Sequence, residues 1–271
     1  MKNKMIRKFL KNPYLVIGSI IMGVILLMII VGFFWMPYEP TKMSASEKLQ
    51  GISFKHLFGT DNMGRDVFSR VMYGSRVTLM IAIGTIIIGA GVGTVIGAVT
   101  GYYGGMVDEV TMRVIDALFA FPSILLALVI VSVFGVGWPQ LVASLGIAFV
   151  PSFARIVRGE VLRVKNMDYI ENARLQGVSD VRMIFLHILP NIKGVFASSI
   201  LIGFNNAVLA EAGLSYLGVG SQPPYASLGR MLSDAQQYMF TRPSYVLCPG
   251  IVIVLIVLGF AFLGEGIKRW E

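Results

Sequence analysis

Residues 77–107 read VTLMIAIGTIIIGAGVGTVIGAVTGYYGGMV, an unbroken run of 31 uncharged residues between Arg76 and Asp108. A helix needs about 20 apolar residues to cross the roughly 30 Å hydrocarbon core of a bilayer, so this run is long enough to span a membrane. A glycine recurs at every fourth position, and the set consists of Gly89, Gly93, Gly97, Gly101 and Gly105. Because small residues at this spacing let another helix approach closely, they predict a helix-packing face. A surface that slides against a partner is a second interpretation.

Further uncharged windows lie at 12–38, 117–154, 194–210 and 243–264. As one helix, window 117–154 would measure about 57 Å at 1.5 Å per residue, which is nearly twice the membrane thickness. It must therefore fold back, and the turn residues of Gly135-Val136-Gly137-Trp138-Pro139 favour a break there. The expected fold class is an all-α membrane protein with six transmembrane helices.

The overall composition agrees with a membrane protein. Charged residues make up 14% of the 271 residues, whereas soluble domains carry about 25%. The single cysteine, Cys248, excludes an intramolecular disulfide and a thiolate metal cluster. The net charge is +8, but most basic residues fall on the side that holds the N-terminus, where the sequence has Lys2, Lys4, Arg7, Lys8 and Lys11. The positive-inside rule thus explains the excess without nucleic-acid binding, and it predicts that both termini are cytoplasmic.

Ionisable groups are nearly absent from the predicted spans. Glu211, near the outer end of the fifth span, is either a helix-end carboxylate that faces water or a partner subunit, or the buried group of an ion-coupled carrier. His56 and His187 fall on opposite sides of the membrane and cannot share a metal. Phosphate-loop, H-E-x-x-H and G-x-S-x-G motifs are missing. We therefore expect no catalytic residue, metal site or cofactor in this chain, and an energy source on a partner.

The longest predicted cytoplasmic segment contains DYIENARLQGVSDVRMIFLHILPN at 168–191. Asp168, with Glu171 three residues later, predicts a capped helix start, and Gly177 fits the position just after the helix end. Ser179 predicts the cap of a second helix that Pro190 ends. The apolar residues that recur there at helical spacing are Val181, Ile184, Phe185 and Ile188. This helix, turn and helix would suit a groove on a soluble partner, and an amphipathic connector at the membrane surface is the alternative.

This segment resembles the E-A-A…G…L-P loop of the inner-membrane subunits of binding-protein-dependent ABC importers. Asn172 stands where the pattern has its first Ala, a departure expected to alter local helix packing rather than abolish docking. A second stretch, LFGTDNMGRDVFSRVMYGSR at 57–76, resembles the G-T-D-x-x-G-R-D-x-x-S-R signature of dipeptide, oligopeptide and nickel permeases. Residues 211–220 and 222–229 are also similar to that family. The loop residues that the resemblance implies for coupling to an ATPase are Asp168, Glu171, Ala173, Arg174, Gly177, Leu189 and Pro190.

The resemblance implies the fold of a type I ABC importer permease in a bacterial or archaeal cytoplasmic membrane. Residues 1–36 would form a cytoplasmic segment and the first helix, 37–76 an extracytoplasmic segment, and 77–271 a five-helix core with its coupling loop at 160–190. The implied partners are a second, different permease chain, two cytoplasmic ATP-binding subunits that hold ATP and magnesium, and an extracytoplasmic solute-binding protein. Because ATP hydrolysis is expected on those separate subunits, the chain itself is not expected to be an enzyme.

The extracytoplasmic segment carries Asp61, Arg65, Asp66 and Arg70 close together in sequence. They form either a mutual ion-pair cluster or a patch on which the binding protein docks. Dipeptides and oligopeptides are the expected substrates, and nickel or a metal chelate is the alternative within the family. An ATP-independent channel or ion-coupled carrier is the alternative of a different class, and it requires charges inside the spans.

Overall fold

The computed structural model describes residues 10–269. Lys2, Lys4, Arg7 and Lys8 lie outside these residues. The described part is mainly helical and contains one isolated bridge, between Thr60 and Asp66, but no strand. The helices in chain order are α1 (Pro13–Phe34), α2 (Val67–Tyr103), α3 (Gly105–Phe119), α4 (Ser123–Phe134), α5 (Trp138–Val164), α6 (Asp168–Leu175), α7 (Asp180–Arg182), α8 (Lys193–Tyr216), α9 (Leu228–Ala235) and α10 (Pro243–Lys268).

Five helices are long and apolar enough to cross a membrane, namely α1, α2, α5, α8 and α10. Helices α3 and α4 meet at an angle of 89° and add a sixth crossing only if the bent pair is one span. The predicted all-α fold is therefore confirmed, with five or six candidate spans. Helix α2 begins at Val67, so the predicted boundary at residue 76 lies inside this helix.

The predicted third span is shorter than the uncharged window suggested. Helix α4 has only 12 residues, about 18 Å at 1.5 Å per residue. The reason is Pro122, which lacks an amide hydrogen and disfavours a helical conformation at Phe121, so the chain breaks after α3. The break predicted at 135–139 is present, because Gly135 and Gly137 adopt positive φ values of 92° and 150° between α4 and α5.

The glycine stripe lies along the contact between α2 and α5. A β-carbon on Gly93 would stand 2.6 Å from Phe153 Cβ, and one on Gly101 would stand 2.9 Å from Val161 Cβ. Gly89 and Gly97 approach the same helix equally closely. Gly105 differs, because it begins α3 with a φ of 54° and has no neighbour within 4 Å. The packing face thus ends at Gly101.

The two ends of the described chain lie side by side. Asn12 caps α1 by accepting from the amides of Tyr14 and Leu15, and its side-chain amide donates a 2.9 Å hydrogen bond to the carbonyl of Gly266 in α10. Helix α10 packs along α1 and α8, and α9 lies between α8 and α10. Because α1 and α10 run in opposite directions, the start of α1 and the end of α10 are at the same end of the molecule.

Candidate functional site

Helix α6 opens the segment that the sequence singles out. Its N-cap is Met167 rather than the predicted Asp168, since the amides of Ile170 and Glu171 both donate to the carbonyl of Met167. Asp168 is consequently the first helical residue and makes no capping hydrogen bond. Both carboxylates still lie in the first turn, where the helix dipole favours negative charge.

Helix α6 ends in a glycine turn at the predicted position. The amide of Val178 donates to the carbonyl of Ala173 at 3.2 Å, and the amide of Gly177 donates to that of Arg174 at 3.0 Å. This pair of bonds is a Schellman motif, which needs a left-handed residue, and Gly177 supplies it with a φ of 77°. A β-carbon at Gly177 would meet nothing within 4 Å, so this side of the turn is open.

The second helix is less regular than its apolar spacing predicts. Ser179 lies at the N-cap of α7 without a side-chain bond, and α7 continues at once into a π-helical turn, Met183–Ile188, and a 3₁₀ turn, Leu189–Asn191. The wider π-helical turn shifts the buried face. Of the apolar residues that recur at helical spacing, Ile184 and Ile188 are buried, whereas Val181 and Phe185 are 65% and 61% exposed.

Two opposite surfaces result from this geometry. The inner surface is an apolar anchor of Ile170, Ala173, Met183, Ile184 and Ile188, which packs against the ends of α2 and α5. The outer surface carries four exposed apolar side chains, which we call the apolar knob: Leu175, Val181, Phe185 and Leu186. Of the predicted coupling residues, Asp168, Glu171, Arg174, Gly177 and Pro190 are exposed, Leu189 is half-buried and Ala173 belongs to the anchor.

Polar contacts join the 168–190 segment to the end of α2. The Tyr102 hydroxyl donates a 2.7 Å hydrogen bond to Asp180 Oδ1, and Lys165 Nζ donates to the carbonyl of Gly101 at 2.8 Å. A second contact holds α3 against α5. Arg158 Nε donates a hydrogen bond to Asp108 Oδ1 and Arg158 Nη2 donates one to Asp108 Oδ2, each at 2.5 Å. The segment, α2, α3 and α5 therefore form one connected body, and a push on the segment would be transmitted to the long helices.

The other end of the molecule holds a second group of charges. Asp61 Oδ2 accepts from Arg65 Nε at 2.5 Å and lies 3.5 Å from Arg70 Nε, while Asp61 Oδ1 accepts from two backbone amides. Asp234, in α9, lies 3.9 Å from both of those arginines and 3.0 Å from Arg230 Nε. We call these five residues the charged cluster. It ties the 37–66 segment to α9.

Asp66 has a separate role at the start of α2. Its Oδ2 accepts from the amide and the hydroxyl of Ser69, and its Oδ1 lies 2.9 Å from His56 Nδ1. The first interaction caps the helix, and the second holds the preceding loop against it. Asp66 and His56 are both buried, so His56 is a structural partner of the cap.

Burial bears on the two interpretations of the four charged residues near the start of α2. Asp61, Arg65, Asp66 and Arg70 are between 0% and 5% exposed. Asp61 pairs with Arg65 and Arg70, and Asp66 pairs with His56 and Ser69. These contacts favour internal ion pairs for the four side chains, and docking of a binding protein at this end stays a prediction. Sequence reasoning missed Arg230 and Asp234, which lie more than 150 positions away and carry no local signal.

Glu211 is also more enclosed than expected. The side chain is 0% exposed, so it faces neither water nor a partner. Ser215 Oγ donates a 2.6 Å hydrogen bond to its Oε1, and in the same region the amide of Leu228 donates to Thr78 Oγ1 at 3.2 Å. Among residues 10–269, no three His, Cys, Asp or Glu side chains are grouped so as to hold a metal ion.

Comparison with known proteins places this geometry in a family. Residues 93–270 match the model of the binding-protein-dependent transport system inner membrane component, and residues 3–51 match the N-terminal transmembrane domain of oligopeptide transport permease C. The dipeptide transport system permease protein DppC of Alkalihalophilus pseudofirmus is 38% identical over 95% of this chain and 85% of its own. The glutathione transport system permease protein GsiD of Pectobacterium atrosepticum is 38% identical over 97% and 87%.

A solved structure shares the fold. Inward-facing MetNI, a methionine ABC transporter, contains a chain that superimposes with a TM-score of 0.60 at 18% identity, over 74% of this chain and 96% of that one. The family model alone covers well over half of the sequence. The chain is a member of the family of inner-membrane components of binding-protein-dependent transport systems.

Proposed function

We propose that the chain is a permease subunit of an ATP-driven importer that carries dipeptides or oligopeptides across the cytoplasmic membrane. The observation that carries this proposal is the 38% identity, over at least 95% of the chain, to permeases named for dipeptide and for glutathione transport. Glutathione is itself a small peptide, so both names point to one substrate class.

The apolar knob supports contact with an ATP-binding subunit. Its four side chains are at least 60% exposed on a segment whose inner side is buried and rigidly tied to α2. Exposed apolar groups on a fixed support are typical of a protein interface. In this proposal Glu171 and Arg174 add polar contacts around the knob, and ATP with its magnesium ion is held by the two ATP-binding subunits.

The same arrangement supports an orientation in the membrane. The knob lies at the end of α2, and α1 and α2 are consecutive candidate spans, so the start of α1 lies at the knob end. The start of α1 and the end of α10 are adjacent. In this proposal both termini lie on the same side as the knob, and that side is cytoplasmic because the knob meets an ATP-binding subunit there. The 37–66 segment is then extracytoplasmic, where a solute-binding protein would deliver its cargo.

Transport would follow from rigid-body motion. When the ATP-binding subunits close on ATP, they would displace the knob, and the 168–190 segment would carry α2 and α5 with it. A second permease chain would complete the path on the opposite side. Close packing of the glycine face keeps α2 and α5 together as one unit during this motion.

Two other functions are less well supported. A nickel or metal-chelate importer would use the same fold, but the relatives compared above are named for peptides. An ion-coupled carrier would need charges inside the spans. Glu211 is a buried carboxyl group of this kind, but its hydrogen bond to Ser215 gives it a structural role within the chain.

The test is uptake by the reconstituted complex. The chain is co-expressed with its second permease and ATP-binding subunits, inserted into proteoliposomes and supplied with the binding protein, and labelled dipeptide and a nickel chelate are compared. We expect ATP-dependent peptide uptake and no nickel uptake. Nickel uptake without peptide uptake, or peptide uptake that persists without ATP, would contradict the proposal.

A further inference from the structure

A cavity of about 540 Å³ opens between the start of α2, the start of α5 and the loop that joins α8 to α9. This volume lies within the range of roughly 300–1,000 Å³ that small-molecule sites occupy. The cavity is at the same end of the molecule as the 37–66 segment and the charged cluster. Its wall is mainly aromatic and apolar, and the aromatic members are Tyr73, Trp138 and Tyr225.

One cation lies in this wall. Arg76 is half-buried, and its guanidinium carbon stands 3.9 Å from the ring centroid of Phe33, which holds the side chain in place by a cation–π contact. Within residues 10–269 it has no carboxylate partner and no hydrogen-bond acceptor. None of the residues that line the cavity is acidic. The N–H groups of Arg76 are therefore available to an anion.

Two neutral polar side chains of the cavity wall have unused hydrogen-bonding capacity. Ser221 is 3% exposed, and its hydroxyl has no hydrogen-bond partner although it lines the cavity. Gln222 uses its side-chain nitrogen on the carbonyls of Gly218 and Gly220, which leaves its carbonyl oxygen as an acceptor. The first turn of α5 lies in the wall as well, and the N-terminus of a helix favours negative charge.

Together these groups match a molecule with a carboxylate at one end, an amide nitrogen beside it and an apolar body. A guanidinium binds a carboxylate through two parallel hydrogen bonds. The C-terminus of a short peptide has this chemistry. We propose that the cavity is a substrate subsite in which Arg76 binds the terminal carboxylate of a peptide that arrives from the extracytoplasmic side, an inference that rests on the proposed function.

The test uses Trp138 as a reporter inside the cavity. The chain has three tryptophans, and replacing Trp35 and Trp270 by Phe leaves Trp138 alone. The full chain in lipid nanodiscs is titrated with the dipeptide Ala-Phe and with its C-terminal amide. We expect a saturable change in Trp138 fluorescence with the free acid, and binding of the amide that is at least about tenfold weaker, since a charged hydrogen bond contributes roughly 1.5–3 kcal/mol.

Variants separate binding from folding. Arg76→Gln should reduce affinity for the free acid to that for the amide, Arg76→Lys should restore part of it, and Arg113→Gln, an exposed charge in α3 outside the cavity, should change nothing. Equal affinity for acid and amide, or normal acid binding by Arg76→Gln, would overturn the inference. Phosphate of a lipid headgroup is another anion that Arg76 could hold. If anionic lipid in the nanodisc shifts the Trp138 signal and abolishes peptide binding, the cavity is a lipid site and the inference fails.

The two proposals can fail separately. Absence of ATP-dependent peptide uptake in proteoliposomes would remove the proposed function. Peptide uptake that is equally rapid for free and amidated peptides, together with equal Trp138 titrations, would remove only the carboxylate subsite.

Discussion

Tyr102 and Asp180, which are 78 positions apart, are joined by a 2.7 Å hydrogen bond from the tyrosine hydroxyl to Asp180 Oδ1. The bond connects the last turn of the glycine-faced helix α2 to the start of α7, beside the apolar knob. The bond therefore lies between the apolar knob, which the ATP-binding subunit is proposed to displace, and helices α2 and α5, which are proposed to move with it.

Tyr102→Phe should weaken this link while leaving the fold intact, because only one partly exposed hydrogen bond, worth about 1 kcal/mol, is lost. We expect less peptide imported per ATP hydrolysed by the reconstituted complex, with unchanged expression. Tyr103→Phe is the matched control, since Tyr103 is adjacent and 54% exposed. If the two variants import equal amounts of peptide per ATP hydrolysed, the Tyr102–Asp180 bond plays no part in coupling ATP hydrolysis to transport.

Gly177→Asp should abolish uptake and leave membrane insertion intact. The turn is open on this side, so an aspartate clashes with nothing in the chain, and its charge would disturb only a docked partner. Gly177→Ala provides the control, because alanine adopts the left-handed conformation less readily than aspartate does. If backbone strain rather than the added charge caused the loss of uptake, Gly177→Ala would reduce uptake at least as much as Gly177→Asp. Normal uptake by Gly177→Asp, measured beside insertion, would refute the docking model.

Gly97→Ala should destabilise the contact between α2 and α5. The added carbon would lie 2.9 Å from Val157 Cβ and would also collide with the carbonyl of Ala154. Overpacking of this kind costs about 1–3 kcal/mol. Gly91→Ala, in the same helix but with no neighbour within 4 Å, should be neutral or stabilising. Thermal unfolding in detergent compares the two, and equal melting temperatures would mean that the glycine face is not a tight contact.

Asp61→Asn should destabilise the extracytoplasmic end, because it leaves Arg65 and Arg70 buried without their main counter-charge. Loss of one partner from a buried pair costs about 3–5 kcal/mol. The control is Glu47→Gln, which breaks the exposed pair with Lys55 and should have no measurable effect, since such pairs contribute little. Limited proteolysis measures the rate at which the 37–66 segment is cleaved in each of the two variants. Equal resistance of the two variants would contradict an internal role for the cluster.

The features that could be predicted from the sequence are those with a local cause. Uncharged windows located α1, α2, α5, α8 and α10, because crossing a membrane depends on length and apolarity alone. The turn at Gly177 was predictable for a similar reason, since a left-handed position selects glycine wherever it occurs. The short α4 was not recognised, although Pro122 was a visible signal for its start.

Features that depend on distant partners could not be predicted. Nothing in the sequence near Asp61 or Asp234 indicates that the two residues belong to one charged cluster. The burial of Asp61 is visible only in the fold, since a charge run is usually exposed. Glu211 is similar, because its neighbours Thr78 and Ser227 come from α2 and from the loop before α9. The π-helical turn at Met183–Ile188 also carries no sign in the sequence, since a period of 3.6 residues does not reveal it.

Site-specific cross-linking tests whether the apolar knob meets an ATP-binding subunit. Cys248 is the single cysteine, so Cys248→Ala allows a new thiol at Leu175, in the knob, or at Phe54, an exposed residue at the opposite end. After labelling with a photoactivatable maleimide in the assembled complex, we predict a cross-link from Leu175→Cys to the ATP-binding subunit and none from Phe54→Cys. A cross-link to that subunit from position 54, with none from 175, would contradict the account.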